Sequence, residues 1–180
     1  MSVPVNISKL DAAKRELEHT IRLFFNYGDI VVMHLVASAA ETLLADIGQK
    51  SGITSIKDEI TKRVKKDKQK YVLDKLNEAY NFFKHADKDP SKLLEFYPES
   101  SEFIIWDSVA MYQSIAKEIT GLMLAYRFWF YTKYPTVLLK KEDYQGYLEI
   151  SQKVDLKNRK LFLEIADKYE SLRTTGKVDI

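Results

Sequence analysis

Between Asp29 and Gly48 runs an eighteen-residue stretch, Ile30 to Ile47, that is apolar around most of its circumference when drawn as a helix. Such a segment has to be surrounded, either by lipid or by other helices of its own chain. His34, Glu41 and Asp46 interrupt it, and eighteen residues is short for a bilayer, so the expectation is the central, most enclosed helix of a bundle that contacts no membrane. His34, Ser38, Glu41 and Thr42 fall at i, i+4, i+7 and i+8, which gathers them into one polar stripe. Buried polar atoms need partners, so this stripe must meet polar groups or water.

The remaining segments agree with a bundle. Ser8 with Asp11 three residues on reads as a helix start, and Leu10, Ala13, Leu17, Ile21 and Phe24 then repeat at helical spacing up to a stop at Gly28. A third helix places Val72, Leu76, Ala79 and Phe83 on one face, while Asn77, Asn81 and His85 form a second polar stripe at i, i+4 and i+8. Asp89-Pro90 signals a short helix through Leu93, Leu94 and Phe96, closed by Pro98. One long pattern follows from Ser101 to Tyr134, with room for a bend at Gly121. Its tail, Tyr126 to Tyr134, has aromatics on every side, which predicts a deep groove or a contact between subunits and hence a homodimer. A last amphipathic helix is capped by Asp155. Six glycines and four prolines in 180 residues leave little for the turns of a β fold. The expected fold is all-α, a bundle of four long helices plus shorter ones in a single domain over residues 1–180.

Composition removes several chemistries. Without cysteine there are no disulfides, no thiolate metal sites and no cysteine nucleophile. The absence of cysteine fits a reducing compartment, and Met1-Ser2-Val3-Pro4-Val5-Asn6 lacks the basic and apolar regions of a secretory signal, so a cytoplasmic location is expected. There is no Gly-rich phosphate loop, no His-Glu-x-x-His, no Gly-x-Ser-x-Gly and no EF-hand spacing. The net charge of +2 leaves local clusters to decide about anionic partners.

Three histidines, His19, His34 and His85, confine imidazole chemistry to few places. His85 ends a helix beside Lys84, Asp87 and Lys88, where two phenylalanines and the Asp87 carboxylate are placed to fix its ring. The plainer reading makes His85 a partner of the helix C-terminus, with Asp87 and Asp89 turning the chain.

The helix-terminal histidine with Asn81 one turn before it resembles the Arg-x(4–6)-His motif of HEPN domains, helical bundles that include metal-independent ribonucleases and toxin components. The motif's polar residue matches Asn81 and its histidine matches His85, whereas Tyr80 stands at the arginine position and carries no charge for a phosphate. The resemblance implies RNA as a partner and a two-subunit cleft. His85 would then act as general acid or base in attack of a ribose 2′-OH on the adjacent phosphate, Asn81 would orient the phosphate, and Lys84 and Lys88 would balance charge. No metal or other cofactor is needed. With the arginine missing, the resemblance equally implies a degenerate, non-catalytic member.

Two further readings stay open. Lys62, Arg63, Lys65, Lys66, Lys68 and Lys70, relieved only by Asp67, suit several phosphates, although such runs are commonly just a solvated helix face. If the second and third helices pack antiparallel, His34, Ser38 and Glu41 approach Asn77, Asn81 or His85 and form a polar pocket for a small molecule or a metal. A non-catalytic scaffold that binds a protein partner is the remaining alternative.

Overall fold

The computed structural model describes residues 3–87, 89–138 and 141–175, the side chains of 141 and 143 excepted. Local capping chemistry starts the first two helices. Ser8 Oγ accepts from the Asp11 amide at 3.0 Å to open α1 (Lys9–Phe25), and the Asp29 carboxylate accepts from the amides of Val31 and Val32, both at 2.9 Å, to open α2 (Ile30–Gln49). Between them the Gly28 amide donates to the Leu23 carbonyl at 2.8 Å, and the left-handed residue of this turn is Tyr27, at φ 54°. Gly28 is needed for space instead, since a Cβ there would lie 2.9 Å from the Leu23 side chain and 3.1 Å from its carbonyl oxygen.

The expected third helix is broken. α3 (Ile56–Lys62), a 3-10 turn at Lys66–Lys68, α4 (Gln69–Leu76) and α5 (Glu78–Lys84) replace it, with the break at Asn77, where φ is −101° and ψ 5°. Asn77 uses its side-chain oxygen to accept from Lys57 Nζ at 2.9 Å, a tertiary bond that holds the residue at the corner. No helix follows Asp89-Pro90. The chain makes a turn there, with the Lys92 amide donating to the Asp89 carbonyl at 3.0 Å, and Leu93 is 92% exposed. A short helix survives only by burying an apolar side, and Leu93 finds no surface to bury against.

The long pattern from Ser101 is likewise two helices, α6 (Glu99–Ala116) and α7 (Gly121–Lys133). The break falls at Lys117, in the left-handed region at φ 56°, and Thr120 caps α7, so the chain folds back where a mere bend at Gly121 was expected. α8 (Lys141–Ser151) and α9 (Arg159–Thr174) complete the order. Asp155 caps the turn before α9 by accepting from the Lys157 amide at 2.9 Å, and α9 itself begins later, at Arg159. Among the described residues there are nine α-helices and no strand, an all-α bundle.

Folding α7 back explains how its aromatics are covered. The Trp129 ring centroid lies 4.5 Å from Phe24 on α1, Trp106 on α6 stacks on Phe130 at 4.9 Å, Tyr131 meets Tyr147 on α8 at 5.4 Å, and Phe128 meets Phe162 on α9 at 6.1 Å. Trp129 and Phe130 are therefore core residues enclosed by their own chain and not a contact between subunits; burial of each such ring is worth roughly 2–3 kcal/mol. α7 is the more enclosed helix, with eight of its thirteen residues buried against eight of twenty in α2. α2 reaches twenty residues, and its most apolar eighteen have mean hydropathy 1.7, long and apolar enough by those measures to cross a bilayer. Here it packs against α1, α5 and α6, with Ile30 and Val32 left on its outer side.

Candidate functional site

Two recesses use the residues singled out in the sequence. The first surrounds His85. α5 ends at Lys84, the His85 amide donates to the Asn81 carbonyl at 3.1 Å, and the chain leaves in an extended conformation, which presents both the Asn81 and His85 side chains to solvent. With Phe82 they line an open recess of about 540 Å³ whose charged groups are Asp74, Glu78, Asp87, Asp89 and Lys92. Lys70 lies 2.6 Å from Asp74, Lys75 3.0 Å from Glu78 and Lys92 3.7 Å from Asp89, so these cations are already engaged by carboxylates. Lys84 points its ammonium at the Tyr80 ring, 4.3 Å from the centroid, and Lys88 lies outside the described residues. Among the described residues, no guanidinium and no unengaged ammonium faces His85. Among the described residues that line the recess, four carboxylates stand against the one ammonium of Lys92.

Lys62, Arg63, Lys65 and Lys66 do not share a helix face, because α3 ends at Lys62 and the chain turns before the Lys66–Lys68 segment. They are exposed, and Lys62 stands 3.8 Å from Glu59.

The second recess is built on the α2 stripe. His34, Ser38 and Glu41 are buried, as their spacing on a mostly apolar helix requires, and His34 and Glu41 line a pocket of about 430 Å³ among α2, α3, α4, α5 and α6. Glu41 Oε2 forms an ion pair with Lys57 Nζ from α3, and the same ammonium donates to Asn77 at the α4–α5 break. His34 Nδ1 lies 2.9 Å from Ser101 Oγ on α6, and its ring packs edge-on against Phe96 and Phe83. Asp107 on α6 accepts from the Ile56 amide at the start of α3 at 2.9 Å. Asn77 thus joins the stripe through Lys57, whereas Asn81 and His85 line the other recess, so His34, Glu41 and His85 do not form one site. Ser38 Oγ is buried without a partner and does not line the pocket. Among the described residues, no group of three or more His, Asp or Glu side chains is placed to hold a metal.

The electrostatics follow from burial. Removal from water holds His34 down to about 4, assisted by the nearby Lys57 charge. Burial pushes Asp107 up to about 6, with Glu41 and Asp58 adding repulsion against the opposing effects of the Ile56 amide and Lys57. Glu41 is also raised, because burial outweighs the attraction of Lys57. Burial and a shared cation next to a recess are the conditions that shift groups at binding sites, and structural ion pairs shift theirs in the same way.

No protein-family model, no curated protein and no solved structure matches this chain.

A contrast within the molecule separates structural from available polar groups. Glu102 on α6 is also buried, but both its oxygens are used: Lys133 donates to each, at 2.8 and 2.7 Å, and Tyr134 donates to one at 2.8 Å. Glu41 has only Oε2 engaged, and no hydrogen bond among the described residues reaches its Oε1 or the Oδ1 of Asp107. Both side chains line the pocket. The sequence had exposed half of this arrangement through the α2 stripe. Asp107, a single acid within the apolar run Ile104 to Ala110, was a signal that could have found the rest; Lys57 carried none.

Proposed function

We propose that this protein is a non-catalytic binding domain that holds a small molecule in the pocket among α2, α3, α4, α5 and α6. The observation that carries the reading is Glu41: a carboxylate 3% exposed, with one oxygen free, facing an apolar-walled pocket of about 430 Å³. That volume lies in the range of small-molecule sites, where apolar walls supply most of the surface and placed polar groups fix the ligand's orientation. The polar groups present bind and orient; the one hydroxyl bonded to His34, Ser101 Oγ, is fully buried and does not line the pocket. Replacing Ala79 on the pocket wall with Trp should fill the space. A compound that raises the melting temperature of the wild type should then leave folded Ala79→Trp unshifted. If no compound in a broad small-molecule set stabilises the wild type, or if Ala79→Trp responds equally, the reading is wrong.

The second reading is an RNA-linked, HEPN-like protein, favoured by the solvent presentation of Asn81 and His85 one turn apart. The engaged lysines and the Tyr80 substitution support a degenerate rather than a cutting member. Salt-dependent binding of single-stranded RNA, weakened by reversing the Lys65 and Lys66 charges, is its test.

A further inference from the structure

We propose that the pocket is built for a ligand with a cationic amino head and an apolar body, an inference that rests on the small-molecule reading above. Four carboxylates, Glu41, Glu78, Glu95 and Asp107, line it against two ammonium groups, Lys57 and Lys75. Both ammonium groups already have carboxylate partners. Lys57 is shared between Glu41 and Asn77, and Lys75 is held by both oxygens of Glu78, at 3.1 and 3.0 Å. A carboxylate or phosphate head would therefore face the open oxygens of Glu41 and Asp107 and would have to compete with Glu41 and Glu78 for the two cations.

An ammonium head meets those oxygens as complements. It carries three donors, and the pocket offers acceptors in Glu41 Oε1 and Asp107 Oδ1, on side chains 3% and 8% exposed. His34 adds a further polar group: burial keeps the ring neutral at physiological pH, and in the tautomer that donates from Nδ1 to Ser101 its Nε2 is a lone-pair site. The walls account for the other end of the ligand. Leu76, Ala79, Leu94, Phe96, Phe103 and Ile104 contribute apolar surface, and the two phenylalanine rings also favour a cation near their faces. A deep acidic end with greasy walls selects amphiphilic amines over amino acids, whose own carboxylate would be repelled.

The test is calorimetric titration of the full chain at pH 7.5 with three probes of one shape: 4-phenylbutylamine, 4-phenylbutanol and 4-phenylbutyrate. The amine should bind at least about tenfold more tightly than the alcohol, and the carboxylate most weakly. Glu41→Gln and Asp107→Asn should each bring the amine close to the alcohol while changing the alcohol by less than about threefold; circular dichroism confirms that each variant is folded, and the wild-type probe order stands as a test even if one is not. Equal or tighter binding of the alcohol or the carboxylate overturns the charge assignment but leaves the pocket reading intact. Failure of all three probes to bind at millimolar concentration overturns both.

Discussion

His34 Nδ1 on α2 lies 2.9 Å from Ser101 Oγ on α6, a buried bond that keeps a neutral imidazole against the floor of the pocket. The ring is held down to about 4, against an ordinary histidine value near 6.5. Between those two values the unfolded chain binds a proton that the folded chain refuses, so this group's contribution is intact above pH 6.5 and is lost as pH falls toward 4. By pH 5 the loss is about 2 kcal/mol. Asp107, raised to about 6, and Glu41, also raised, act in the opposite sense, because the folded state keeps protons that the unfolded state releases. His34→Gln removes only the first effect. Urea unfolding at pH 7 and pH 5 should therefore show the variant gaining about 2 kcal/mol relative to wild type on acidification, and a pH-independent difference would contradict the assignment.

Lys57 is the sole cation on the buried Glu41 carboxylate among the described residues. Lys57→Met should cost about 3 kcal/mol at pH 7.5 by leaving that charge uncompensated. Glu41 can then take up a proton, so the defect should shrink at pH 5. The double variant Glu41→Gln/Lys57→Met should recover most of the loss, and a double variant as unstable as the single one would show that Lys57 acts through Asn77 or packing and not through the Glu41 charge.

Gly121 opens α7 directly against the backbone of α9, where a Cβ would collide with the Ala166 carbonyl oxygen and the Glu170 side chain. The backbone oxygen cannot swing aside as a flexible side chain can. Gly121→Ala should lower stability by about 2 kcal/mol or more. Gly146 in α8 has open space at the same position, so Gly146→Ala should be neutral or slightly stabilising. Equal melting temperatures for the two variants would refute the close approach of α7 to α9.

Purified protein should leave single-stranded RNA uncut, with His85→Ala indistinguishable from wild type in gel assays. Cleavage by wild type that His85→Ala abolishes would displace the pocket from its place as the functional centre and restore the nuclease reading.

What could be read in advance was whatever depends on near neighbours in the chain. Ser8 and Asp29 cap helices through bonds to amides two or three residues away, and the His34, Ser38, Glu41 stripe follows from helical spacing alone. The breaks at Asn77 and Lys117 could not be read. The apolar period passes unbroken through both, Asn77 is set by a lysine twenty residues earlier, and Lys117 has no side-chain feature that marks a left-handed residue. Asp89-Pro90 misled for the converse reason: a good local start signal had no surface on which to lay the helix. The pocket was half legible because its α2 side is periodic, while Lys57 and Asp107 reach it only through the tertiary fold.

No residue of α3, α4 or α5 is buried, although these helices form one side of the pocket. Residues 56–84 are thus a wall without a foundation of their own, leaning on the bundle mainly around a hollow. A guest in that hollow would serve them as a keystone. Occupancy would be legible from outside as a tightening of the exposed lysine-rich edge between α3 and α4, read as slower proteolysis after those lysines.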